Sequence, residues 1–184
     1  MKKLPTDAKK VFTGEIFDVF QWEQELYDKS TAIFEALKRS DTVTVIPVTE
    51  DGKIILIEEE QPHIELQLKN VAGTVDPGEN PERAAKRELL EETGYECQDL
   101  VLWYKQNLVL KIDWDIYTYI AKGCKKVGDQ NLEAGEKITP FLFTFEEFIE
   151  KVCEEDFPNL SLKVKILEAK LDPKKMAELK SLLQ

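Results

Sequence analysis

The chain has 184 residues and a mass of 21.2 kDa, which suits one domain with its own hydrophobic core. Its formal net charge is −11, so we expect no surface that binds nucleic acid or another polyanion. No apolar run of about 18 residues predicts a membrane span, and three cysteines without CxxC spacing favour a reducing, cytoplasmic setting over a zinc site.

The beginning of the chain predicts a small β-structure. Val11–Trp22 is rich in Phe, Val and Ile on either side of a central break, and it predicts two short strands. Gln24–Lys29 predicts a turn, and Thr31–Leu37 predicts a third strand. We expect residues 1–40 to form an antiparallel β extension, although the same strands could simply lengthen the central sheet.

The next two segments predict the centre of the sheet. Thr42–Val48 and Lys53–Glu59 are apolar and β-branched, and the Glu-Asp-Gly sequence between them is a hairpin signal. Such runs are typical of strands that are covered on both faces. His63, the only histidine, follows in a polar segment, and we interpret it as a solvated loop residue rather than a base.

The stretch Gly73–Tyr95, GTVDPGENPERAAKRELLEETGY, is the most informative in the chain. Asn80 is a favourable N-cap, and Pro81 suits the first helical position because its missing N–H costs nothing there. Gly94 suits the left-handed residue that ends a helix. Together these signals predict a helix over residues 81–93.

Three glutamates share one face of this predicted helix, because residues three and four apart are neighbours: Glu88, Glu91 and Glu92. Crowded carboxylates repel one another, which calls for a compensating cation. Hard oxygen ligands select Mg²⁺ or Mn²⁺. The alternative interpretation is a solvated acidic helix face that is held by pairs such as Arg87 with Glu91.

The rest of the chain predicts further strands and then helices. Cys124–Glu136 is polar and predicts a mobile loop. Three strands are expected around it: Leu100–Leu110, Trp114–Ala121 and Lys137–Phe143. Three helices are expected to close the chain, with Thr144 and Asp172 as N-caps: Phe145–Cys153, Leu160–Ala169 and Pro173–Leu183. This order predicts an α/β fold, an α/β/α sandwich around a mixed β-sheet, with residues 41–184 as one domain.

Seven residues of the informative stretch follow one spacing: Gly73, Glu79, Arg87, Glu88, Glu91, Glu92 and Gly94. This spacing resembles the Nudix box, the signature of hydrolases that cleave a nucleoside diphosphate linked to another group, X. The resemblance implies the same α/β/α sandwich, with the box as a loop–helix–loop on the sheet. It also implies metal-dependent hydrolysis to a nucleoside monophosphate and X-phosphate.

Features outside the box resemble the branch of ADP-ribose and nucleotide-sugar pyrophosphatases. They include the leading strands, Arg39 before a central strand, and the Glu-Gln-Pro sequence at Glu60–Pro62. Two features depart from that branch. Lys69–Gly73 reads KNVAG where the branch has E-x-P-A-G, and the proline that ADP-ribose-specific members carry after the box is missing. Both departures count against ADP-ribose as the specific substrate.

The box suggests a metal site and the residues that support it. We expect Glu88 and Glu92 to be the principal metal ligands and Glu91 to share a second ion. The resemblance adds the backbone carbonyl of Ala72 as a ligand. Arg87 is expected to orient the carboxylates, with a bidentate contact to Glu79. Gly73, Glu79 and Gly94 are expected to have structural roles.

In this branch a loop carboxylate usually acts as the base or as an extra ligand. Glu136 is the first candidate and Glu133 the second, although either could be a solvated loop residue. Should neither act, Glu91 is the next residue to consider as the base.

Substrate contacts are expected from Arg39 and from Phe20 and Trp22 in the leading strands. The two aromatic residues could equally be core or dimer contacts. In relatives these strands often exchange between subunits and complete the partner's site, so we expect a homodimer. Two other functions remain open: an enzyme that cleanses nucleoside triphosphates, which would not need the leading strands, and a non-catalytic nucleotide sensor, which would be expected to have a degenerate box.

Overall fold

The computed structural model describes residues 4–62 and 64–184, so the interpretation of His63 lies outside the described residues. The strands in chain order are β1 Lys9–Thr13, β2 Asp18–Glu25, β3 Thr31–Lys38, β4 Thr42–Thr49, β5 Ile54–Gln61, β6 Ile64–Lys69, β7 Val71–Thr74, β8 Tyr95–Glu96, β9 Asp99–Gln106, β10 Ile112–Asp113, β11 Ile116–Lys126 and β12 Lys137–Phe143. The helices are α1 Pro81–Thr93, α2 Phe145–Cys153, α3 Leu160–Leu171 and α4 Pro173–Leu182.

The strands form two sheets. The larger sheet has the order β12-β5-β4-β11-β8, with β6, β7 and β9 paired to β5, β4 and β11. It is mixed, as predicted, because β4 and β11 run parallel while their other neighbours are antiparallel. The smaller sheet has the order β1-β2-β3-β10. The leading strands therefore do not lengthen the central sheet.

Helices cover both faces of the central sheet, which confirms the predicted α/β/α sandwich. Strands β4 and β5 are buried almost throughout because they lie between the two layers. On one face their side chains pack with Phe148 of α2 and Ile166 of α3. On the other face they pack with Ala84, Ala85 and Leu89 of α1. Among the described residues, no helix is both long enough and apolar enough to cross a membrane.

Most predicted elements are present. The differences occur where pairing with a distant segment determines the direction or the end of a strand. The smaller sheet is not purely antiparallel, because β10, from much later in the chain, pairs parallel with β3. Strand β11 continues to Lys126, since β8 pairs with its end, so the predicted loop begins after Lys126 rather than at Cys124. The strand that was predicted to reach Leu110 ends at Gln106.

Candidate active site

Local signals fix the two ends of α1. The Asn80 side chain accepts a hydrogen bond from the Arg83 N–H at 2.8 Å, and Pro81 is the first helical residue, as predicted. Gly94 has φ +74° and donates its N–H to the Leu90 carbonyl at 2.8 Å. These contacts set the position along the sheet at which the helix carries its charged side chains.

Arg87 is the centre of the charged network on α1. Its Nε and Nη2 donate to the two carboxylate oxygens of Glu79 at 3.3 and 3.0 Å, which is the bidentate contact expected from the sequence. Its Nη1 donates to Glu88 at 2.8 Å and to Glu91 at 3.0 Å. These carboxylates raise the pKa of Arg87 well above its usual value. One guanidinium thus holds three glutamates in fixed orientations.

Glu92 is the most deeply buried carboxylate of the box, with 4% of its surface exposed. Its Oε2 accepts the Ala72 N–H at 3.1 Å, which ties α1 to β7. Burial raises the pKa of Glu92 to about 9, although the positive charge of Lys69 acts in the opposite direction. Burial also raises the pKa of Glu88, against the effect of Arg87. For both carboxylates the effect of burial exceeds that of the nearby positive charge, so a further cation would favour their ionised forms.

No group of three or more His, Cys, Asp or Glu side chains is close enough to hold a metal ion in the described residues. Within the box, the Nη1 atom of Arg87 bonds both Glu88 and Glu91. The carboxylates on this helix with a raised pKa are those of Glu88, which is half-buried, and Glu92, which is buried.

A charge pair that the sequence reasoning missed, between buried Glu59 and half-buried Lys69, lies beside Glu92. Glu59 of β5 is buried, forms an ion pair with Lys69 of β6 and accepts a hydrogen bond from the Gln61 side chain. Lys69 is therefore not a surface lysine. The available signal was the departure at Lys69 itself, because a cation at a position where the branch has a carboxylate calls for a nearby acidic partner.

The loop after β11 lies against the C-terminal end of α1. The Val127 N–H bonds the Gly94 carbonyl and the Asn131 N–H bonds the Glu91 carbonyl, both at 2.9 Å. Farther along the loop, the Glu136 carboxylate accepts the Glu133 N–H at 3.1 Å. The charge of Glu136 contributes to the raised pKa of Glu88, so the loop brings another carboxylate near the box.

These groups line one cleft of about 790 Å³. Arg39 and Trp114 lie along its wall, as do the loop glutamates Glu133 and Glu136. The cleft is also lined by residues of the box, by Ala72 next to it and by the Glu59–Lys69 pair: Glu59, Lys69, Ala72, Gly73, Arg87, Glu88, Glu91 and Glu92.

Phe20 and Trp22 do not line this cleft in their own chain. Trp22 packs against Phe34, with ring centres 6.1 Å apart, and the Phe20 ring lies 5.8 Å from the Lys10 Nζ. Both belong to β2 of the smaller sheet. The aromatic residue that the cleft does contain is Trp114, which the sequence had assigned only to a strand.

Comparisons with known proteins identify relatives of this chain. The NUDIX domain model matches residues 38–161. The chain is 29% identical over 152 residues to the methanol dehydrogenase activator of Bacillus methanolicus, covering 80% of this chain and 82% of that protein. It is 34% identical over 93 residues to the ADP-ribose pyrophosphatase of Bacillus subtilis (strain 168), covering 50% of each.

Two further comparisons, one of sequence and one of structure, are with hydrolases of ADP compounds. The chain is 26% identical over 104 residues to the ADP compounds hydrolase NudE of Escherichia coli (strain K12), covering 55% of this chain and 56% of that protein. The chain thus spans about half the length of the Bacillus subtilis ADP-ribose pyrophosphatase and of NudE. A crystal structure of an ADP compounds hydrolase matches with a TM-score of 0.72 at 19% identity, over 92% of this chain and 94% of that one.

Proposed function

This chain belongs to the NUDIX family and is a NUDIX hydrolase, and we propose that it cleaves the diphosphate bond of an ADP-ribose-type or nucleotide-sugar-type substrate. The supporting observation is the arrangement of Arg87 between Glu79, Glu88 and Glu91, with Glu92 buried beside it on one wall of the cleft. Two relatives are named for hydrolysis of ADP-ribose and of ADP compounds. The products would be a nucleoside monophosphate and X-phosphate.

The carboxylates of this wall have the chemistry of divalent-cation ligands, although in the described residues no three acidic side chains converge on one point. The partly buried carboxylate of Glu88 and the buried carboxylate of Glu92 have raised pKa values, and a cation would stabilise both in their ionised form. We assign them as the principal ligands, together with the Ala72 carbonyl, and Glu91 as the ligand of a second ion. Hard oxygen donors favour Mg²⁺ or Mn²⁺. When bound, the ion supplies charge neutralisation for the phosphates and lowers the pKa of a coordinated water.

The protein's own groups orient the reactants and accept the proton. Arg87 keeps Glu88 and Glu91 from rotating away by donating to both carboxylates. The attacking water would transfer its proton to a carboxylate oxygen of Glu136, with Glu133 as the second candidate. The loop contacts to Gly94 and Glu91 support this role because they fix the start of the loop against α1.

In a homodimer, Phe20 and Trp22 would contact the nucleotide that is bound to the partner subunit. We propose that residues 1–40 form the dimerisation element and residues 41–184 the hydrolase domain. Exposed apolar side chains in the strands of the smaller sheet support this proposal, because pairing with a second copy would bury some of them: Val11, Phe12, Ile33 and Phe34. In the dimer, the partner's strand would supply aromatic contacts to the nucleotide. Three free cysteines are consistent with the proposed cytoplasmic location.

A substrate panel with Mg²⁺ tests the function. The panel contains ADP-ribose, ADP-glucose, a UDP-sugar, oxidised nicotinamide adenine dinucleotide and ATP. The products are identified by chromatography. We expect a nucleoside monophosphate from at least one diphosphate-linked substrate, and little release of pyrophosphate from ATP. Faster hydrolysis of ATP would favour the triphosphate-cleansing alternative. Tight binding without any product would favour the nucleotide sensor.

A further inference from the structure

Arg39 is held in the cleft by aromatic rings. Its guanidinium carbon lies 4.6 Å from the centre of the Trp114 ring and 5.6 Å from the centre of the Phe17 ring. Both Arg39 and Trp114 line the cleft that contains the box carboxylates. A guanidinium over an aromatic face is attracted by the ring's quadrupole, and its plane is thereby restricted.

The two cleft arginines differ in their partners. Arg87 is saturated by Glu79, Glu88 and Glu91. Arg39 forms no ion pair with any Asp or Glu in residues 4–62 and 64–184, and its buried Nε has no hydrogen-bond partner there. In a chain of net charge −11, an arginine held by rings instead of carboxylates keeps its positive charge available to an anion.

Trp114 is itself fixed at the junction of the two sheets. Its indole Nε1 donates to the Thr42 hydroxyl at 3.1 Å. The neighbouring Asp115 N–H bonds the Asp41 carboxylate at 2.9 Å, and the Thr42 N–H bonds the Asp115 carbonyl at 3.0 Å. These bonds join the segment between β10 and β11 to the segment between β3 and β4. The ring therefore occupies a defined place beside Arg39.

We propose that Trp114 is a positioning residue, which holds the Arg39 guanidinium towards the cleft so that it binds the diphosphate of the substrate. The proposal rests on the proposed function for the identity of the anion. It extends that function because the sequence motif contains neither Trp114 nor any signal for its contact with Arg39. Removing the ring would leave Arg39 present but free to rotate, which weakens ground-state and transition-state binding alike.

Binding of ADP in the presence of Mg²⁺, measured by calorimetry, tests the proposal directly. We expect Trp114→Leu to weaken ADP binding about 3- to 30-fold, the range of a partly to fully desolvated cation–π contact. Trp114→Phe should restore most of the affinity, since it keeps an aromatic face. Arg39→Leu should weaken binding at least as much, and the Arg39→Leu/Trp114→Leu double variant should be no weaker than Arg39→Leu alone.

Trp103→Leu is the matched control. Trp103 is also half-buried and also lies beside a cation, the Lys165 Nζ at 5.5 Å from its ring centre, but it does not line the cleft. Trp103→Leu should therefore lower the thermal stability of the protein without changing its affinity for ADP. In turnover of whichever panel substrate the enzyme accepts, Trp114→Leu should raise KM while kcat changes little, as expected for loss of uniform binding.

Three results would overturn the inference. Unchanged ADP affinity in a folded Trp114→Leu protein, or equal losses in Trp114→Leu and Trp114→Phe, would show that the aromatic ring does not act through Arg39. Equal weakening of adenosine, which has no phosphate, would show that Trp114 stacks on the base instead. Additive losses in the double variant would show that the two residues act separately. Failure of wild-type protein to hydrolyse any panel substrate would contradict the proposed function alone, because the ADP measurement does not need turnover.

Discussion

Gly73 and the carboxyl group of Glu88 are so close that any side chain at position 73 would displace Glu88. A Cβ atom added there would lie nearer than 3.0 Å to the Glu88 carboxyl carbon and both of its oxygens. Gly73 follows Ala72, whose N–H bonds Glu92. Gly73 is required because β7 and the Glu88 side chain approach closely there, rather than because of an unusual backbone angle. The backbone of β7 at Ala72 and Gly73 thus determines the positions of the Glu92 and Glu88 carboxylates.

Gly73→Ala is therefore expected to disable the site without unfolding the protein. The clash falls on the end of a flexible side chain, so Glu88 should rotate away, and activity should fall about 10- to 100-fold because of the misplaced ligand. Gly128→Ala is the control, since an added Cβ there has open space. Steady-state kinetics and thermal melts measure both effects. Full activity in Gly73→Ala would mean that the position of Glu88 is unimportant.

Glu92→Gln should abolish metal-dependent activity, with a loss of about 100-fold or more, because an anionic ligand is removed from the cation site. Activity should depend on added Mg²⁺ or Mn²⁺ and disappear with a chelator. Glu82→Gln, on an exposed part of the same helix, should remain active. Turnover of Glu92→Gln within a few-fold of wild type at low metal would contradict the ligand assignment.

Glu92→Gln should also stabilise the metal-free protein against unfolding at high pH. The native state raises the pKa of Glu92 from 4.5 to about 9. The stability from the neutral carboxyl is fully present below pH 4.5 and is lost as the pH rises towards 9, since the unfolded chain releases this proton first. Glutamine cannot ionise. The Tm of Glu92→Gln minus that of wild type, measured with a chelator, should therefore be larger at pH 8 than at pH 5; an unchanged difference would contradict this environment for Glu92.

Glu136→Gln should lower kcat about 10²- to 10⁴-fold with little effect on substrate affinity, which is the usual loss for a general base. Glu133→Gln should be mild, because the loop carboxylate whose charge acts on Glu88 of the box is that of Glu136. Single-turnover kinetics separate chemistry from binding. The reverse order of effects would exchange the two roles, and two active variants would leave Glu91 as the base to test.

Light scattering should report a mass of twice 21.2 kDa at micromolar concentration, because the smaller sheet exposes apolar side chains that pairing would bury. Phe12→Asp combined with Ile33→Asp, at positions 60% and 63% exposed, should give a monomer. Leu171→Asp on α3 is a control, since that side chain is also apolar and is more exposed, at 88%, but lies outside the smaller sheet. A wild-type monomer with and without nucleotide would reject the dimer.

The sequence by itself determined the features that short segments encode. The helix forms over the predicted residues, with Asn80 and Pro81 at its start and Gly94 at its end. Its ends could be predicted because capping groups act within one turn of the chain. Apolar runs located β4 and β5, since burial on both faces leaves its pattern in the residues themselves. The spacing within the box placed Arg87, Glu88 and Glu92 together and identified the family.

Only the tertiary structure decided the contacts between distant segments. The Glu59–Lys69 pair depends on how β5 and β6 pair, and the Arg39–Trp114 contact joins residues from either side of the box. Short strands such as β8 and β10 exist because a partner strand satisfies their backbone groups, so their own few residues carry little signal. The physical reason is that local preferences act along the chain, whereas sheet register and buried charge pairing act across it, and the cleft is built from both.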